Sequence, residues 1–169
     1  MELHELLIDL FERIPEHIHE AVDGLDSDAL VTPPEPGANP IGWLIWHLTR
    51  VQDHHVSELM DHEQEWISGK WSSRFGVAAD AQNTGYGHSW KDVMSIRPES
   101  TDVLIQYYDA VAARTRELLA TITAQDLDRI VDKRWDPPVT LGVRLISVAD
   151  DDIQHAAQAS YVRGILDRR

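Results

Sequence analysis

Apolar residues recur along this chain at steps of three and four, the spacing of one face of an α-helix. In the first segment Leu3, Leu7, Leu10, Ile14, Ile18 and Ala21 share such a face. Pro15 lies inside that run, lacks a backbone donor, and is expected to kink or interrupt the helix. Gly24 is a natural stop. Residues 32–40 hold four prolines in nine positions, which no helix interior tolerates. Asn39 followed by Pro40 reads as a cap and a first-turn proline, so a second helix is predicted from Ile41 to about Ser68. Residues 69–99 have no clean period and are rich in Gly, Ser and aromatics (Trp71, Phe75, Tyr86, Trp90). A stretch of that length reads as a lid or binding loop. Ser100 can cap a third helix over 101–123, with Val103, Tyr107, Val111 and Leu118 turned inward. Asp136-Pro137-Pro138 breaks the chain again, and Thr140 opens a fourth helix that runs almost to the C-terminus. No alternation is long enough to build a sheet, and no internal repeat is present. The pattern predicts an all-α fold, a four-helix bundle with a long loop between the second and third helices, as a single domain over 1–169.

The length, 169 residues, fits one domain. Lys plus Arg is 15 and Asp plus Glu is 29, a formal net charge of −14 that protonating all 9 His would not reverse. Such a surface repels phosphate backbones and anionic lipid, so neither nucleic acid nor membrane is an expected partner. There is no Cys, which removes disulfides, thiolate zinc ligands and thiol nucleophiles together. The opening Met1-Glu2-Leu3-His4-Glu5 lacks the basic-then-apolar pattern of a signal peptide. No run reaches the roughly 18–20 apolar residues of a membrane span. A cytoplasmic location is expected. The 9 His and 6 Trp are many for this length and give the first hint of a site.

Polar residues at apolar positions sharpen that hint. With His155 as origin and about 100° per residue, Leu141, Val148, Ala159, Val162 and Leu166 fall within about 40° of it. Asp151, one turn earlier, shares this face, whereas Asp150 points outward and Asp152 falls at the margin. A buried carboxylate without a partner costs several kcal/mol, so Asp151 calls for a cation or a hydrogen-bonding partner. An Asp and a His four residues apart suit one metal ion; an Asp–His hydrogen bond or a core ion pair meets the same need. His47 lies in the apolar run Gly42-Trp43-Leu44-Ile45-Trp46-His47-Leu48 and is its one ionisable group. It is either a satisfied core histidine or a third ligand. His47, Asp151 and His155 together would make a two-His, one-carboxylate set with open coordination positions, the layout of a catalytic metal site. His54, seven residues from His47, approaches the site or lines the bundle. His4, His17, His55 and His62 read as boundary or surface residues, and His88 as a loop residue. Glu16-x-x-His19 carries the element of di-iron bundles, but it points away from the apolar stripe and has no second copy.

The run Asn39-Pro40-Ile41-Gly42-Trp43-Leu44-Ile45-Trp46-His47-Leu48, with a terminal helix carrying Asp151-x-x-x-His155, resembles the DinB/YfiT-like superfamily over the whole chain. The likeness is to its actinobacterial branch of mycothiol-dependent S-transferases and maleylpyruvate isomerase. The resemblance implies a four-helix bundle holding one divalent metal through His47, Asp151 and His155. Many members have His where Asp151 stands, and Gln158 occupies a position where some have another His. Zinc comes first for such a site, and the carboxylate, which makes it harder and more anionic, keeps nickel, iron and manganese as alternatives.

The implied function is a metal-dependent thiol S-transferase that conjugates mycothiol, or a similar small thiol, to an electrophile. A free thiol is mostly protonated at neutral pH, and a divalent metal deprotonates it. With no Cys in the chain, the thiol must arrive as a cosubstrate. Trp43, Trp46, Arg144 and Arg163 are the candidates for binding it by stacking and hydrogen bonding; core packing is the competing role for the two tryptophans. The alternatives are metal-dependent hydrolysis, thiol-dependent isomerisation, and a non-catalytic metal-binding stress-response protein. The expected partners are the thiol and the electrophile; a homodimer is one assembly open to such a bundle, and the sequence leaves the oligomeric state undecided.

Overall fold

The structure is a computed structural model, and residues 1–168 are described. The first apolar face forms two helices, α1 (Leu3–Glu12) and α2 (Ile14–Val22), with Pro15 in the first turn of α2, where its missing donor costs no hydrogen bond. A short α3 (Ser27–Leu30) follows, its amides capped by Asp26. The second long segment, α4, spans Ile41–Met60, with Pro40 rather than Asn39 as its cap residue.

Four sequence expectations change here. The second helix does not reach Ser68: Asp61 takes a left-handed conformation (φ 55°) and the chain restarts as α5 (Glu65–Ser68). The reason lies in Asp53, whose buried carboxylate accepts from the backbone amides of Glu65 and Trp66 at 2.9 and 2.8 Å, capping α5 from the side of α4. The 69–99 stretch is not one open loop. It contains a 3-10 turn (Trp71–Phe75) and α6 (Trp90–Val93), and it buries Phe75, Val93 and Ile96 in the core. The third long helix, α7, spans Thr101–Leu119 and ends four residues earlier than expected. Beyond it, β1 (Ile130–Asp132) and β2 (Val139–Thr140) pair antiparallel, with Ile130 opposite Thr140 and Asp132 opposite Val139. Strands of three and two residues are too short to show alternation, which is why a sheet was not expected. The last helix, α8, runs Leu141–Leu166.

Among the described residues there are thus eight α-helices, and α1–α2, α4, α7 and α8 pack as a helical bundle. α4 lies against both α7 and α8, and α2 closes on α8 from another side. The predicted inward residues Ile14, Ile18, Val103, Tyr107, Val111, Leu141, Val148, Ala159 and Val162 are all buried. No described helix is long and apolar enough to cross a membrane.

Candidate metal centre

The buried arc of α8 is broader than one partner helix would require, because α2 and α4 both cover it. Its centre lies about 55° round from His155, since Ala149 and Ala156 are also buried. This corrects the reading of the adjacent acids. Asp152, expected at the margin, is 0% exposed. Asp151, expected well inside, is half-buried at the edge of the arc. Arg144, Asp151 and His155 then form one strip along α8, and that strip faces α4.

Two of these residues meet His47. The imidazole of His47 stands 4.7 Å from that of His155, edge to face, and His155 Nε2 lies 3.7 Å from Asp151 Oδ1. One donor atom from each of His47, Asp151 and His155 lies within 4.8 Å of the others. The outer ring nitrogens are engaged. His47 Nδ1–H donates to the Thr84 carbonyl, and His155 Nδ1–H donates to Gln158 Oε1 at 3.0 Å. A carbonyl can only accept, so His47 carries its proton on Nδ1 and leaves Nε2 bare. Burial lowers the pKa of His47, favouring the neutral ligand form, and raises that of Asp151, while the two histidines pull Asp151 back down. Asp151 Oδ2 is buried and has no hydrogen-bond partner among the described residues. An orphaned carboxylate oxygen beside two imidazoles held from behind is a donor set that fits a divalent metal.

Residues 81–88 hold this arrangement from above. Gly85 has φ +96°, and a Cβ there would lie 2.7 Å from His47 Nδ1 and 2.9 Å from the Trp46 ring. Only glycine allows the backbone to come down onto the histidine. The segment is anchored by Arg50, wholly buried in α4, which donates to the carbonyls of Ala81 and Asn83, to Gln64, to Tyr107 and to Asp53. Asp53 in turn accepts from Tyr107 at 2.8 Å. The sequence reading passed over Arg50 and Asp53. The helical-wheel argument that found Asp151 applies equally to them, since they fall inside a helix whose first ten residues are buried on every side.

The candidate thiol-binding residues are dispersed. Trp43 stacks on His47 at 4.7 Å and donates to His88 Nδ1, so it supports the triad from within the core. Trp46 is wholly buried against Trp66 and His88. Arg163 lies at the far end of α8, donating to the Ala21 and Asp23 carbonyls and to Asp167. Arg144 is the one of the four that lines the cavity containing His47 and Asp151. That cavity, about 670 Å³, is a groove between α4 and α8. Tyr86 (93% exposed) and Trp135 (65% exposed) stand at its mouth.

A family model described as the DinB superfamily matches residues 10–159. A solved structure of a conserved protein from Enterococcus faecalis is similar to this chain at 28% identity and a TM-score of 0.91, covering 100% of this chain and 99% of that one. No curated protein matches.

Proposed function

Because this chain belongs to the DinB superfamily, which includes metal-binding enzymes, we propose that it is a metal-dependent thiol S-transferase acting through one divalent ion, zinc first, held by His47, Asp151 and His155. The observation that carries the reading is the convergence of these three side chains, one carboxylate oxygen unpaired, at the head of an open groove. Three protein ligands leave room for a further one, and a divalent ion there supplies the acidity that turns a thiol or water into a nucleophile at neutral pH. Thr84 and Gln158 orient the two imidazoles by accepting their outer N–H groups. Trp43, Trp46 and the 81–88 segment exclude water from the inner side of the triad. The groove is of a size that takes a small thiol together with an electrophile.

With no Cys in the chain the thiol arrives as a cosubstrate, and mycothiol is the first to test. In this reading α1 and α2 are one broken member of a four-helix bundle, the chain is one domain, and its partners are small molecules.

The test is conjugation of monochlorobimane by the zinc-loaded protein with mycothiol, glutathione and cysteine in turn. The expected result is turnover with at least one thiol, lost on chelation and restored by metal. Full metal occupancy with no turnover for any thiol would overturn the transferase reading.

A further inference from the structure

The groove has a second end. α4 and α8 run antiparallel, so that His47 faces His155 at one end while His55, two turns on, faces Arg144 at the other, with Arg144 Nη1 3.3 Å from His55 Nε2. Eight residues of α4 separate the two histidines, about 12 Å of helix. His54, His55 and Glu58 also bring donor atoms within 4.8 Å of one another, superficially a second metal site.

Hydrogen bonding argues otherwise. Arg144 can only donate, so His55 accepts on Nε2 and keeps its proton on Nδ1. Gln64 gives its oxygen to Arg50 Nη2 and its amide nitrogen to the Ala81 carbonyl, so it donates to His54 Nδ1 and leaves the His54 proton on Nε2. The second nitrogen of each imidazole therefore carries a proton, not a lone pair, and that of His55 is buried on the side of Glu58, 3.8 Å from its carboxylate.

The wall around them is cationic. Asp132, on β1, accepts from the backbone and Nε of Arg134 on one oxygen, and from Arg134 Nη2 and Arg144 Nη2 on the other. One saturated carboxylate thus holds two guanidiniums side by side, with the exposed Glu58 as the other acid that acts on Arg134. Among the described residues, Arg134 Nη1 and Arg144 Nε make no hydrogen bond, and both side chains line the groove. Glu58, largely exposed and 3.8 Å from His55 Nδ1, lies outside that lining. In a chain of net charge −14, two arginines converging in the cavity that holds the triad call for an anionic ligand.

We infer that this far end is an anion subsite, and that the ligand of the groove carries a carboxylate about 10–12 Å from the atom held at the triad. Arg144 and Arg134 grip the carboxylate, and Asp132 fixes the two guanidiniums in place. This assignment of substrate class rests on the triad as the reactive end of the groove.

The test titrates the tryptophan fluorescence of the zinc-loaded protein, Trp135 being at the groove mouth, with ω-mercaptooctanoate, the uncharged ω-mercaptooctanol, and octanoate. The acid thiol is expected to bind about tenfold or more tighter than the alcohol, the contribution of one charge-assisted contact. Arg144→Met should abolish that preference. Arg134→Gln, at a side chain 70% exposed, should reduce it without threatening the fold. Equal affinity for acid and alcohol, or a preference that survives both substitutions, overturns the subsite. Octanoate binding that depends on Arg144, with no gain from the thiol, supports the subsite and counts against the thiol reading. Tight binding of both thiols alike does the reverse.

Discussion

The two ends of one groove hold nearly the same inventory, two histidines and a carboxylate, and they are built for opposite tasks. At His47 and His155 the outer ring nitrogens donate to oxygen acceptors, the Thr84 carbonyl and Gln158, so lone pairs converge with Asp151. At His54 and His55 one ring nitrogen accepts from Gln64 or Arg144, so the other carries a proton instead of a lone pair, and two guanidiniums stand close by. A cluster of metal-ligating residue types is therefore not yet a metal site. The hydrogen bond behind each imidazole selects the tautomer, and the tautomer selects cation or anion.

The sharpest way to break this comparison is to remove one histidine from each end. His155→Ala should weaken zinc binding by more than about a hundredfold, beyond the loss that follows from removing an outer partner alone. His55→Ala should leave zinc at one ion per chain. Competition with a chromophoric chelator reads both, and a loss of zinc in His55→Ala would put the ion at the wrong end.

The support from above gives a smaller effect. Gly85→Ala places a methyl group against His47 Nδ1 and the Trp46 ring at a positive φ, so the 81–88 segment must lift. It should cost about 1–3 kcal/mol of stability, and about tenfold in zinc affinity as His47 loses its acceptor. Denaturant titration and zinc competition on the same variant measure the two, and an unchanged zinc affinity would show that Thr84 does not orient His47.

A further effect concerns protons. Burial, then the Arg144 guanidinium, holds His55 down to about 3, against 6.5 for a free histidine. Between these values the unfolded chain binds a proton that the folded chain refuses. His55 therefore makes stability fall as pH drops through that window, by up to about 1.4 kcal/mol per unit, and adds no slope above about 6.5. Melting temperatures of the metal-free protein from about pH 7 to pH 4 should fall less steeply in His55→Gln, which keeps an acceptor for Arg144. Parallel slopes would mean that His55 is free to take up a proton.

Much of the architecture was legible from periodicity, because the burial of one helical face repeats every three to four residues. The breaks at Pro15, at 32–40 and at 136–138 were legible because proline removes a backbone donor wherever it stands. Chain interruptions set by distant partners were not. The end of α4 at Met60 rather than Ser68 combines a left-handed Asp61 with the carboxylate of Asp53, which binds amides twelve and thirteen residues further on. The relative depth of Asp151 and Asp152 was also read in reverse, since the centre of a buried arc depends on how many helices cover it.

The sequence by itself determined that His47, Asp151 and His155 are polar groups on apolar faces, that the chain is helical, and that its surface is acidic. Each of these follows from residue identity and spacing along one helix. Only the tertiary structure decided that α4 and α8 run antiparallel as neighbours, that Gly85 and Thr84 descend onto His47, and that Arg134 and Arg144 share Asp132 at the opposite end. Those are relations between segments far apart in the chain, and a hydrogen bond across such a distance leaves no period in the sequence.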